Sequence, residues 1–162
     1  TNQIAYAMEK AHQIGMRIAF NPSPIGPEIR EYPLEYVNWF ILNEIEGEAL
    51  GGSAIPEKII CNMQSTYPQA EIVLTLGKKG VLYARKDNEF RQKAYEVTAV
   101  DTTAAGDTFT GYFLAGILNG CTPQENLQTA CLASALAVSR HGAASSIPAM
   151  AELQASKPLL SQ

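Results

Sequence analysis

The residues best suited to chemistry stand together in Asp101-Thr102-Thr103-Ala104-Ala105-Gly106-Asp107-Thr108-Phe109. Ala104, Ala105 and Gly106 carry little or no side-chain bulk, and a segment with an apolar stripe follows them. If that segment is a helix, its first backbone N–H groups lack intrahelical acceptors and lie at the positive end of the helix dipole. Small residues then leave those N–H groups open to an anion such as a phosphate. Asp107 sets a carboxylate beside the hole. A carboxylate repels phosphate, so its presence points to a base that takes a proton from the nucleophile attacking phosphorus. The same residues also fit a plain N-cap at Asp107, with small neighbours permitting a tight turn. Gly106 and Gly111 stand at P-loop spacing, but Tyr112 and Phe113 occupy the positions of its Lys and Ser/Thr. No GxGxxG follows a strand, so a dinucleotide fingerprint is absent.

The elements that must hold this segment follow from periodicity. Residues 105–119 read as a helix, with Phe109, Phe113, Gly116 and Ile117 on one face. A second long helix spans 123–140, opened by Thr122 as N-cap and Pro123 at the first helical position. It is rich in Ala and Ser, which permits close packing. Upstream, 2–14 reads as a helix closed by Gly15, and Arg17–Phe20 as a short strand. The stretch 21–33 carries four prolines and reads as a loop or extended connection. Val37–Leu42 and Ile72–Leu76 are apolar runs typical of strands covered on both faces. Helices over 44–50 and 56–67 lie between them. Val81–Ala84 reads as a hairpin partner of 72–76. Residues 90–100 hold one or two further short strands, and 148–156 a last short helix. This alternation gives an α/β fold with a largely parallel sheet, helices on its faces, and ligand at the C-terminal strand ends.

Composition sets outer bounds. The chain has 162 residues, 46% of them hydrophobic and 17% charged, enough for one packed core rather than a disordered tail. The net charge is −4 and Lys and Arg never form a run, which argues against a nucleic-acid partner. Cys61, Cys121 and Cys131 have no metal spacing, and His12 and His141 lie far apart, so a zinc site is not indicated. Three unpatterned cysteines fit a reducing compartment. No apolar run reaches the roughly 18–20 residues of a membrane helix, and the first residues lack a signal-peptide pattern. A cytoplasmic protein without a membrane partner is the expectation. The chain also opens on a helix, without Met and without a leading strand. The expectation is a piece of a larger domain, whose lost partner strands leave an unpaired sheet edge and apolar surface.

The 101–109 segment resembles the C-terminal signature of the PfkB/ribokinase family of carbohydrate kinases, and the likeness runs almost end to end. It takes in the strand-end Asn21–Pro24, the Asn43-Glu44-Ile45-Glu46 segment, and Thr75-Leu76-Gly77-Lys78-Lys79-Gly80. It continues through Ala137-Val138-Ser139-Arg140-His141-Gly142-Ala143 to Ser146-Ile147-Pro148. Tyr112 departs from it, standing where the family usually has a smaller residue.

The resemblance implies the C-terminal part of a ribokinase-like three-layer sandwich. Residues 1–162 would be the nucleotide-binding and catalytic-base portion of the kinase domain, with the N-terminal half and lid absent. It implies ATP-dependent phosphoryl transfer to a sugar hydroxymethyl group. D-ribose is the first candidate acceptor, and fructose, deoxyribose or a nucleoside are alternatives. A nucleotide-binding fragment without catalysis of its own is a further alternative. Asp107 would be the general base, and the N–H groups of Ala105, Gly106 and Asp107 would hold the transferring phosphoryl. Asn43 and Glu46 would organise phosphate and Mg²⁺ through water, although an exposed polar helix start fits the same pair. Thr75, Gly77 and Gly80 would line the nucleotide, although a hairpin turn fits them as well. Asp101, Thr103, Ala137, Arg140, Gly142 and Ser146 would surround a monovalent cation, K⁺. Arg140 could equally cap a helix C-terminus. ATP and the sugar are the implied partners, with a homodimer through the missing lid in the full-length protein.

Overall fold

The structure, a computed structural model, describes residues 3–156. The chain divides into two compact units. One runs up to Leu76 and resumes over Leu82–Arg91, and the other takes Gly77–Val81 and continues from Gln92.

The first unit opens with α1 (Gln3–Gln13). The expected helix over 2–14 is therefore present, while Asn2 lies outside the described residues. It ends in a left-handed Gly15 at φ 75°. Gly15 N–H donates to the His12 carbonyl at 3.0 Å and Met16 N–H to the Ala11 carbonyl at 2.9 Å, the paired bonds of a Schellman stop. Strand β1 is only Ala19–Phe20. It is shorter than expected because the Ile18 N–H donates to the Asn38 side chain, at 2.7 Å, instead of to a strand carbonyl. The proline-rich connection holds two 3-10 turns, Pro27–Glu31 and Leu34–Tyr36, where the sequence suggested only loop. Strand β2 is Trp39–Leu42, every residue buried, and it starts later than the expected Val37 because the Val37 N–H closes the Leu34–Tyr36 turn on the Leu34 carbonyl at 3.1 Å.

Two helices follow, α2 (Glu44–Gly51) and α3 (Pro56–Thr66), and then β3 (Glu71–Thr75). Strands β1, β2 and β3 are parallel neighbours, with Phe20 opposite Phe40 and Phe40 opposite Ile72. Side chains alternate along these strands, so Phe40, Leu42, Ile72 and Leu74 share one face. That face joins Ile59, Ile60 and Met63 of α3 in one buried cluster. Gly47 and Gly51 permit the close approach of α2 to α3, because a Cβ on either would press on Ile59.

Strands β4 (Val81–Arg85) and β5 (Asn88–Gln92) complete the sheet order β1-β2-β3-β4-β5. Their short connections are those of antiparallel neighbours, since a parallel crossover needs about a dozen residues. The sheet is thus parallel through β3 and turns to a meander beyond it. Trp39 and Phe40 are core residues, as expected.

The second unit is dominated by α4 (Ala105–Leu118) packed on α5 (Pro123–Val138). A short helix, α6 (Met150–Ser156), follows. The region 90–100 contributes no strand of its own beyond the end of β5 at Gln92. Among the described residues, no helix is long and apolar enough to cross a membrane, and no cluster of three or more His, Cys, Asp or Glu could hold a metal.

Candidate functional site

Helix α4 begins without a side-chain cap. Its N-cap is Ala104, so Asp107 is the third helical residue and not a capping residue. The plain N-cap reading of Asp107 is removed. Ala104, Thr108 and Phe109 are buried, while Gly106 and Asp107 are exposed. The first turn therefore anchors one side in the unit and turns the carboxylate outward. The Ala105 N–H donates to the Thr102 carbonyl at 3.2 Å, and the Thr108 N–H to the Ala104 carbonyl at 2.9 Å. The N–H groups of Gly106 and Asp107 find no acceptor among the described residues. Of the three expected anion donors, two are free, and the Ala105 N–H is held by the turn before the helix. Space above Gly106 is open, since a Cβ built there would meet nothing within 4 Å.

The turn leading into α4 is tied down by Asp101. Its Oδ1 accepts from the Thr103 N–H at 2.9 Å and the Thr103 hydroxyl at 2.6 Å. Its Oδ2 accepts from the Gly142 N–H at 3.1 Å. The Thr103 and Gly142 hydrogen bonds favour the ionised form and lower the Asp101 pKa to about 2. The structure thus brings Asp101, Thr103 and Gly142 together. The other residues expected around a cation are engaged locally. The Ala137 carbonyl accepts from the Arg140 N–H at 3.2 Å, and the buried Ser146 hydroxyl donates to the Ala143 carbonyl at 2.8 Å. Arg140 forms a two-pronged ion pair with Glu152 of α6 rather than capping a helix end with its side chain.

At the start of α2, Asn43 and Glu46 form a reciprocal capping box. The Glu46 N–H donates to Asn43 Oδ1 at 2.9 Å. In return the Asn43 N–H donates to Glu46 Oε2 at 2.9 Å and Asn43 Nδ2 to Glu46 Oε1 at 3.0 Å. Glu46 is only 3% exposed, so both carboxylate oxygens are occupied by Asn43 inside the unit. At the end of β3, the Thr75 hydroxyl donates to the Leu42 carbonyl at 3.1 Å and so joins the ends of β3 and β2.

Gly77 and Gly80 differ in kind. Both have positive φ, 53° and 92°. Gly77 is exposed with open space where a Cβ would be. At Gly80 a Cβ would collide with the backbone of Gln92 and Ala94. Glycine at 80 is required by the chain's own packing, while Gly77 leaves backbone open to a ligand.

Sequence reasoning passed over several residues that shape this region. Ser134 of α5 donates its hydroxyl to the Ala105 carbonyl at 3.0 Å. Buried Asn126 donates to the Phe113 carbonyl at 2.8 Å, seated against Gly116. Tyr112, the departure from the family pattern, donates to the Pro148 carbonyl at 2.5 Å and fastens the segment entering α6. The small-residue content of α5 was the available signal for close packing, but not for which serine reaches across.

The free N–H groups and the open space above Gly106 suit an anion. Two bare N–H groups at a helix start can donate to phosphate oxygens. Mg²⁺ commonly binds one or two carboxylates together with substrate phosphates and keeps several waters, so the lack of an acidic cluster among the described residues is compatible with it.

The chain belongs to the pfkB family of carbohydrate kinases, which it matches over residues 2–150. It is 34% identical to a ribokinase of Staphylococcus aureus over 157 residues, 92% of this chain and 50% of that protein. It is 30% identical to a deoxyribokinase of Salmonella typhi over 154 residues, 91% of this chain and 49% of that protein. The solved ribokinase of Cryptococcus neoformans in complex with ADP superposes with a TM-score of 0.83 at 28% identity, over 95% of this chain and 56% of that one. These likenesses establish the ribokinase-like α/β fold in its C-terminal part. The chain spans about half the length of the relatives it matches.

Proposed function

We propose that this chain is the C-terminal, nucleotide-binding and catalytic-base portion of an ATP-dependent sugar kinase, with D-ribose as acceptor and ribose 5-phosphate as product. One observation carries the reading. An exposed Asp107 carboxylate stands in the first turn of α4 beside the free N–H groups of Gly106 and Asp107.

Asp107 would accept the proton of the sugar hydroxymethyl group as that oxygen attacks the γ-phosphorus of ATP. The bond to ADP breaks as the new P–O bond forms. The N–H groups of Gly106 and Asp107 would take the charge on the transferring phosphoryl oxygens. Removing such a base typically costs about 10²–10⁴ in rate, and one oxyanion donor is worth about 10²–10³. Gly77 would let the nucleotide approach the backbone closely, with Thr75 at the end of β3 before it and Gly80 closing the turn after it. Glu46 and Asn43, locked in their capping box, would act on Mg²⁺ only through water. Mg²⁺ would neutralise charge on the phosphates. A K⁺ ion beside the Asp101 turn would be held by backbone carbonyls of the 137–146 segment, leaving the Asp101 hydrogen bonds in place. The same reading gives a cytoplasmic enzyme.

A second acceptor, deoxyribose, is favoured by the deoxyribokinase relative at 30% identity. The test is ADP release by the longer protein that carries this chain, with ATP, Mg²⁺ and ribose, deoxyribose or fructose. Turnover with ribose ahead of the others supports the proposal, and preference for deoxyribose supports the second acceptor. No turnover with any sugar refutes the kinase reading. The 162 residues alone are expected to turn over little or no sugar.

A further inference from the structure

We propose that Ser134 is a positioning residue for the phosphoryl-binding turn, acting through the Ala105 carbonyl. The inference rests on the kinase reading of that turn.

The start of α4 has a weak local claim to its own geometry. Ala104 offers no side chain to the first N–H groups, and alanine is among the poorest N-cap residues. An uncapped first turn frays, which would blur the direction of the Gly106 and Asp107 N–H groups. Asp101 ties the residues before the helix, and a further restraint on the first turn comes from α5. The Ser134 hydroxyl reaches the Ala105 carbonyl at 3.0 Å. Four residues on, the Val138 carbonyl accepts from the Val100 N–H at 2.7 Å and the Asp101 N–H at 3.2 Å. Residues four apart lie on one face of a helix. A single face of α5 therefore grips the turn on both sides, at Val100–Asp101 and at Ala105.

Helix α5 can serve as that strut because it is pegged to α4 elsewhere. Asn126 holds the Phe113 carbonyl at 2.8 Å. Eight residues separate Asn126 from Ser134, about 12 Å along the helix. The two bonds fix α4 against both sliding and rocking on α5. Phosphoryl donors work only when held in place before the reaction, so an extra restraint at Ala105 should act on kcat.

The experiment compares Ser134→Ala, Ser134→Val and Ser134→Thr in the longer, full-length kinase. A neutral hydrogen bond of ordinary strength corresponds to about a fivefold change in rate. Ala and Val should lower kcat about fivefold with little change in KM for sugar. Thr, which keeps the hydroxyl at the size of Val, should restore most of kcat. Equal kcat for Thr and Val, or wild-type kcat for Ala, overturns the proposal, because packing alone would then explain the position. Asp107→Asn, measured in parallel, separates this from the parent reading. Full turnover by that variant would remove the base assignment, while the Thr and Val comparison would still decide Ser134.

Discussion

Replacing Gly106 by alanine separates the two uses a small residue can have at a helix start. Gly106 is the second residue of α4, and its φ is not in the left-handed region. A Cβ there would meet no atom within 4 Å. Nothing in the fold therefore asks for glycine. Alanine loses less backbone entropy on folding, a gain of about 0.5–1 kcal/mol within a helix. In a protein about twice this length, as the relatives are, that raises Tm by roughly 0.5–2 °C. The same methyl would stand in the open space beside the two free N–H groups, where the proposed mechanism puts the phosphoryl oxygens. Loss of one such donor costs about 10²–10³, so partial obstruction should lower kcat/KM at least tenfold. Calorimetry and a coupled ADP assay on Gly106→Ala full-length kinase should show higher Tm and lower activity together. Unchanged kcat/KM would refute the reasoning, because the small residue would then serve only the turn.

Further outcomes follow from the same contacts. Gly116→Ala places a methyl on Asn126 and forces α4 from α5, so stability should fall by about 1–3 kcal/mol in a denaturant titration. Asp101 contributes a pH-dependent share of stability. Its pKa is depressed in the folded chain, from 3.8 to about 2, so that share is complete above the ordinary carboxylate range and is lost as pH falls toward 2. The Tm gap between wild type and Asp101→Ala should hold from pH 7 to 5 and narrow from pH 4 downward. A gap unchanged at pH 2.5 would contradict the hydrogen-bonded carboxylate.

What the sequence could and could not disclose follows the range of the interactions. Local signals were read well. Gly15 as a left-handed stop, Thr122-Pro123 as a helix start and the buried runs of β2 and β3 all depend on neighbours in sequence. Strand β5 was harder, because Asn88–Gln92 is polar and mostly exposed, so alternation gives no apolar face to detect. Asn43 and Glu46 show how one spacing serves two readings. Three residues apart suits a capping box as well as a ligand pair, and the carboxylate oxygens prove to be occupied by Asn43. Asp107 turned on a shift of three residues, since only the observed N-cap at Ala104 shows that it is not capping. Ser134 and Asn126 were illegible for a different reason. Their partners lie 29 and 13 residues away, and which serine or asparagine faces the neighbouring helix is set by packing.

The central claim is that Asp107 is the base. Asp107→Asn preserves size and the free N–H groups, and leaves the nucleotide its binding surface. In the full-length kinase, ribose-dependent ADP formation by this variant should fall about 10²–10⁴-fold, with ATP binding and Tm close to wild type. Turnover within a few fold of wild type would contradict the account.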